Sequence, residues 1–178
     1  MDPVISAVCR GSVALLLAVA AIHKVRDLRA FRDAVGEYGL LPRPFVTPVA
    51  VVVPALEILA GVALLVPATR LAGASLALAL IALFTGALAV NLYRGRTDIG
   101  CGCFGPAAEQ GLSGWLIPRN LAMAALLAPA FRAPAHRPIG ALDLFVAIVG
   151  VLALTGLFFA MNRLIALWPR TEALRRPK

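Results

Sequence analysis

Apolar runs of near-membrane length alternate with short polar or proline-rich breaks along this chain. The first run, Val4 to Ile22, is interrupted only near its start by Cys9-Arg10-Gly11. It has about the length a bilayer span needs, roughly 20 residues. A cleaved signal peptide fits it less well. Arg10 lies inside the run, and His23-Lys24-Val25-Arg26 follows where a small-residue cleavage site would stand. Between Lys24 and Leu41, the apolar residues Val25, Leu28, Phe31, Val35 and Tyr38 recur at three- and four-residue steps. Arg26, Arg29, Arg32 and Asp33 fill the gaps, so the pattern predicts an amphipathic helix lying in the interface. Pro42 and Pro44 end it.

Phe45 to Val66 predicts a second span, with Pro48, Pro54 and a carboxylate, Glu57, inside it. Proline is tolerated in membrane helices because neighbouring groups can satisfy the freed carbonyl. Pro67 to Arg70 is a tight connection to a third span, 71–93, in which Gly73-Ala74-Ser75 and Gly86-Ala87 permit close helix contact. A polar loop, 97–114, leads to a fourth span over 115–131, with Pro118, Arg119 and Asn120 in its first turns. After a proline-rich turn, 141–162 predicts a fifth span, and 163–178 is a basic tail.

Composition agrees with lipid as the solvent. Of 178 residues, 61% are hydrophobic and 15% charged, against about 45–50% and 25% in soluble domains. Mean hydropathy is +0.88. The expected class is therefore all-α, a single multi-pass membrane domain over 1–178 in contact with the bilayer. The net charge of +8 does not point to nucleic acid, because the cations cluster at the ends of apolar runs. With five spans, Lys24, Arg26, Arg29, Arg32, Arg43, Arg94, Arg96 and the tail share one membrane side. Arg10, Arg70, Arg132 and Arg137 share the other. The positive-inside rule then puts the N-terminus outside and the 97–114 loop in the cytoplasm.

That loop carries the most pointed chemistry in the chain: Cys101-Gly102-Cys103. Two thiols one glycine apart can close a small disulfide ring. Such a ring departs from the geometry of unstrained long-range bridges and is readily reduced. It suits a bond that is made and broken more than a structural staple. The same two thiolates could hold a soft metal, although a closed zinc site needs two more ligands. His23 and His136 are the only histidines. His136 and Cys9 fall on the opposite membrane side, so Cys9 reads as a packed small residue. A third reading leaves both thiols buried and inert.

Ionisable groups inside spans are costly and face the bundle interior or one another. Glu57, Arg119 and Asn120 lie within spans, and Lys24 lies at the end of the first. Pairing of Glu57 with Arg119 or with Lys24 would offset the charges. These four residues form either a structural clasp or the polar wall of a pocket beside Cys101 and Cys103. Such a pocket could hold a quinone or relay protons during thiol oxidation.

Cys101-Gly-Cys-Phe-Gly105 after the third span resembles the MauE family of methylamine-utilisation membrane proteins, within the broader DoxX-like group. Lys24-Val-Arg-Asp-Leu-Arg-Ala-Phe31, Tyr38-Gly-Leu-Leu-Pro42, Pro54-Ala-Leu-Glu57 and Arg119-Asn120 resemble it too, over roughly residues 10 to 131. The resemblance implies a four-helix membrane bundle in a bacterial plasma membrane, distantly like vitamin K epoxide reductase, with the fifth span outside the shared core. It implies thiol–disulfide redox at Cys101 and Cys103 with a thioredoxin-like partner or a disulfide-containing client. Lys24, Glu57, Arg119 and Asn120 carry over as motif positions. A role in exported disulfides requires the cysteines on the outer face, opposite to the charge count. The rival functions are soft-metal or small-thiol transport through Cys101 and Cys103, and a structural anchor for a soluble redox partner.

Overall fold

The computed structural model describes residues 1–96, 112–132, 137–138 and 140–175. Regular structure among them is helical: α1 (Pro3–Arg26), α2 (Leu28–Glu37), α3 (Arg43–Leu65), α4 (Arg70–Tyr93), α5 (Leu116–Ala125) and α6 (Ala141–Arg175). A 3-10 turn, Ala128–Phe131, prolongs α5. Among the described residues, four helices are long and apolar enough to cross a membrane: α1, α3, α4 and the Ala141–Leu164 part of α6. At 1.5 Å per residue each reaches about 35 Å, against a hydrocarbon core of about 30 Å.

The segment predicted as a fourth span is shorter, Leu116–Phe131. Its α-helix stops at Ala125 and tightens into the 3-10 turn at Pro129. Proline lacks the N–H of an α ladder and disfavours α geometry in the residue before it. The segment nevertheless carries the chain back across the bundle. Arg137 beyond it lies 3.5 Å from Asp2 at the start of α1 and 2.7 Å from Asp143 at the start of α6. Val8 lies over Gly150 and Val151 over Gly11, so α1 and α6 run in the same direction. One end of the bundle thus holds the starts of α1 and α6. The opposite end holds α2, the end of α4 and the start of α5.

The amphipathic helix is shorter than its predicted span of 24–41. α1 continues through Arg26, so Lys24 belongs to the membrane helix and not to α2. Asp27 makes the break. Its backbone leaves helical geometry (φ −132°, ψ 68°), and its carboxylate accepts from Ala30 N at 3.0 Å, capping α2. The inward face of α2 is Phe31, Ala34, Val35 and Tyr38, while Arg29, Arg32, Asp33 and Glu37 face out.

Buried positions recur with helical periodicity along one face of each helix. In α3 they are Ala50, Val53, Pro54, Glu57, Ala60, Gly61 and Leu64. In α4 they are Gly73, Ala74, Ala77, Leu80, Ile81, Leu88 and Asn91. α1 packs against both α3 and α6, and the core gathers Val13, Leu16, Leu17, Leu64, Leu80, Ile81 and Leu127. α6 exposes Leu142, Phe145, Leu152, Leu157 and Leu164, the expected outcome for a helix that lipid solvates.

The α3–α4 hairpin depends on Gly73. A Cβ there would stand 2.5 Å from Leu64 N and 2.7 Å from Ala63 C, both backbone atoms that cannot swing away. Gly73→Ala is therefore expected to lower stability by about 1–3 kcal/mol, the usual range for overpacking. A thermal unfolding series in detergent checks it, and an unchanged midpoint would show that the hairpin has slack. Gly95 supplies a second backbone requirement, with φ 72° directly after α4. Arg96 N donates to Asn91 O and Gly95 N to Leu92 O, both at 3.0 Å. This glycine-closed helix end turns the chain into the segment that bears the cysteines.

Candidate functional site

The buried charges of this bundle meet toward its α2 end. Lys24 is two residues from the end of α1, yet its ammonium is not turned out to the interface. Side chains lean toward the N-terminus of their own helix. α1 and α3 are antiparallel, since Arg10 donates to Leu64 O and Gly61 sits against Ala14. Lys24 therefore leans inward and Glu57 leans toward the α2 end. They meet at 2.5 Å, with both side chains 2% exposed. Two rings enclose the cation: its Nζ is 5.4 Å from the Phe31 centroid and 5.0 Å from that of Phe84. The pairing of Glu57 with Lys24, one of the two open to it in the sequence, is formed in the structure.

Arg119 takes part in a second polar group, one turn into α5. Its Nε and one terminal nitrogen donate to Asn120 Oδ1 at 3.3 and 3.1 Å. The other terminal nitrogen donates to Asn162 Oδ1 on α6 at 3.2 Å. The guanidinium lies 5.7 Å from the Phe158 ring centroid. Asn120 Nδ2 donates to Thr85 Oγ1 at 3.1 Å, and that hydroxyl donates to Ile81 O at 2.7 Å. α4, α5 and α6 are thus tied through polar side chains where the bilayer offers no water. The bond to Asn162 gives α6 a part in the site that the sequence reading had placed outside the shared core.

Among the described residues, two spaces adjoin these groups. A void of about 40 Å³ is lined by Lys24, Glu57, Phe84, Arg119, Asn120 and Met123, among others. It is polar enough and roomy enough for ordered water. A larger cleft, about 240 Å³, opens between α2, α3, α4 and α5. Its walls are apolar and aromatic, including Phe31, Tyr38, Val53, Leu83 and Phe84, and its polar lining is Arg119 and Asn120. Phe84, Arg119 and Asn120 border both spaces.

All four supporting residues expected from the sequence, Lys24, Glu57, Arg119 and Asn120, are brought together here. Cys101 and Cys103 lie outside the described residues. The chain departs at Arg96 and resumes at Leu112, both at the α2 end. Leu112 is buried with Leu88 and Leu116, against Tyr38. Cys9 is half-buried on α1, near the other end. No group of three His, Cys, Asp or Glu side chains placed to hold a metal ion occurs among the described residues. The sequence reading missed Phe84, Thr85 and Asn162 as site residues. Thr85 offered a signal, as an isolated polar position within an apolar run, whereas Asn162, next to Arg163 at the end of the predicted span, did not. Phe84 offered none.

Comparison with known proteins places these residues in a family context. The profile of the family described as "Methylamine utilisation protein MauE" matches residues 2–133. Curated relatives of that name are similar to this chain. The one from Methylophilus methylotrophus is 42% identical over 126 residues, covering 70% of this chain and 66% of the relative. That from Paracoccus denitrificans is 38% identical over 139 residues, covering 78% and 75%. That from Paracoccus versutus is 35% identical over 164 residues, covering 92% and 88%. No solved structure matches the chain.

Proposed function

This chain belongs to the MauE family of membrane proteins, and from that premise we propose that it exchanges disulfides through Cys101 and Cys103 in support of methylamine utilisation. The observation that carries the reading is the placement of the buried polar groups. Lys24–Glu57 and Arg119–Asn120 lie in the half of the bundle where the cysteine-bearing segment departs and returns. A purely structural clasp would serve equally well at any depth, whereas thiol chemistry needs polar groups near its own end of the bundle.

A thiolate of a thioredoxin-like partner or client attacks one sulfur of the Cys101–Cys103 disulfide, and the other sulfur leaves as thiolate. The partner's second thiol then displaces the mixed disulfide. The partner leaves oxidised and the Cys101–Cys103 pair is left as a dithiol. Regeneration of the disulfide sends two electrons and two protons to an acceptor. Glu57 is the group of the polar wall able to take up and pass on those protons, with Lys24, Arg119 and Asn120 beside it. Disulfide formation in an exported client places the pair on the outer face and the N-terminus in the cytoplasm.

The test uses the full chain reconstituted in lipid, with a reduced thioredoxin-like dithiol as partner. Wild type is expected to oxidise the partner stoichiometrically, and the Cys101→Ser/Cys103→Ser double variant is expected to leave it reduced. Equal oxidation by both proteins would overturn the proposal.

A further inference from the structure

We infer that the cleft between α2, α3, α4 and α5 binds the ring of a lipid-soluble quinone. The inference rests on the proposed thiol reaction, because that reaction requires a two-electron, two-proton acceptor. It names the class of that acceptor and the place where it sits.

Size, shape and polarity all point to the ring. A dry apolar cavity of about 150 Å³ takes benzene, so a cleft of about 240 Å³ has room for a substituted six-membered ring. Phe31, Tyr38 and Phe84 line it with aromatic surface, which favours a flat, conjugated guest over a flexible acyl chain. The polar side of the cleft suits the carbonyls of a quinone. Asn120 is 7% exposed and lines the cleft. Its amide nitrogen carries two hydrogens and gives one to Thr85. A carbonyl oxygen is the guest that complements an amide donor held at the floor of an apolar cleft.

Access also fits. Leu40, Leu41 and Leu83 line the cleft and are themselves exposed, at 38%, 38% and 58%. Leu83 lies on the membrane-spanning α4, where exposure is exposure to lipid, so an isoprenoid tail can leave past it without crossing water, while Leu40 and Leu41 lie in the connection between α2 and α3. α2 supplies Phe31, Ala34, Val35 and Tyr38 to one wall. A short interfacial helix thereby acquires a reason for its apolar stripe beyond anchoring.

The test is binding of decylubiquinone to the Cys101→Ser/Cys103→Ser double variant in lipid nanodiscs, where no thiol turnover can consume it. Decylbenzene, which has the tail and a ring but no carbonyl, is the control. Saturable binding of one decylubiquinone per chain is expected, with decylbenzene at least about tenfold weaker for want of the hydrogen bond. Ala34→Phe fills the cleft from α2 without disturbing the helix bundle and is expected to weaken decylubiquinone by a similar factor. Helix content and melting of this variant are followed in parallel. Equal binding of decylubiquinone and decylbenzene, or no saturable binding, overturns the inference. Undiminished binding by a folded Ala34→Phe variant also overturns it. In each case, oxidation of a dithiol partner by wild type would leave the thiol-exchange reading standing.

Discussion

Replacing Lys24 by methionine is expected to be among the most damaging single changes in the membrane core, costing about 3–5 kcal/mol. The substitution keeps the length and apolar stem of the side chain and removes only the charge. Glu57 is then left as a carboxylate in the bundle interior without the ammonium that offsets its charge. Glu57 is 1% exposed, and the nearer end of α3, Leu65, is about two turns away. Removal of one partner from a buried pair is far more costly than removal of both. Glu57→Gln in the Lys24→Met background should therefore recover most of the loss.

The converse single change should be milder. With Glu57→Gln alone, the ammonium keeps the faces of Phe31 and Phe84. Being close to the end of α1, it can also turn outward to the interface. A double-mutant cycle on thermal unfolding in detergent measures this directly. Additive losses, with Lys24→Met no worse than Glu57→Gln, would show that the pair contributes nothing as a pair.

The largest expected effect on activity comes from the cysteines taken singly. Cys101→Ser and Cys103→Ser each remove the internal disulfide, so each should reduce partner oxidation to the level of empty lipid. Insertion into the membrane should not change, because the apolar runs that drive it are untouched. The two variants should differ in one respect. Offered the oxidised partner, only the variant that retains the sulfur at which exchange begins should attack the partner's disulfide and accumulate a mixed disulfide, visible on a non-reducing gel. Full exchange by both single variants would remove the pair from the mechanism. Mixed disulfide in neither would remove the proposed partner class.

Much of the bundle was legible in the sequence because lipid enforces simple rules. Long apolar runs, prolines and glycines at their edges, and charges outside them marked α1, α3, α4 and the membrane part of α6. The end of α1 was less visible. The run of apolar residues at helical spacing continues from Lys24 to Tyr38, and only the capping geometry of Asp27 separates α1 from α2. The fourth apolar segment had the composition of a span, but Pro129 shortens its α-helix. Candidate site residues were legible by cost. A carboxylate, a guanidinium and an amide inside apolar runs must have partners, so Glu57, Arg119 and Asn120 announced themselves. Which partner each takes depends on helix rotation and side-chain lean, which composition does not encode. Asn162 illustrates this: it reads as an ordinary polar residue near the end of a span, and only packing brings it to Arg119.

The most direct test of the central claim, that Cys101 and Cys103 form an exchangeable disulfide on the outer face, is thiol labelling in intact cells. A Cys9→Ser version of the chain leaves only the pair to react. Cells are treated with a membrane-impermeant maleimide, with and without prior treatment by an impermeant reductant. The account predicts that both thiols are labelled after reduction and neither is labelled before it. Labelling of both without reductant would contradict it, as would a pair that becomes reactive only once the cells are lysed.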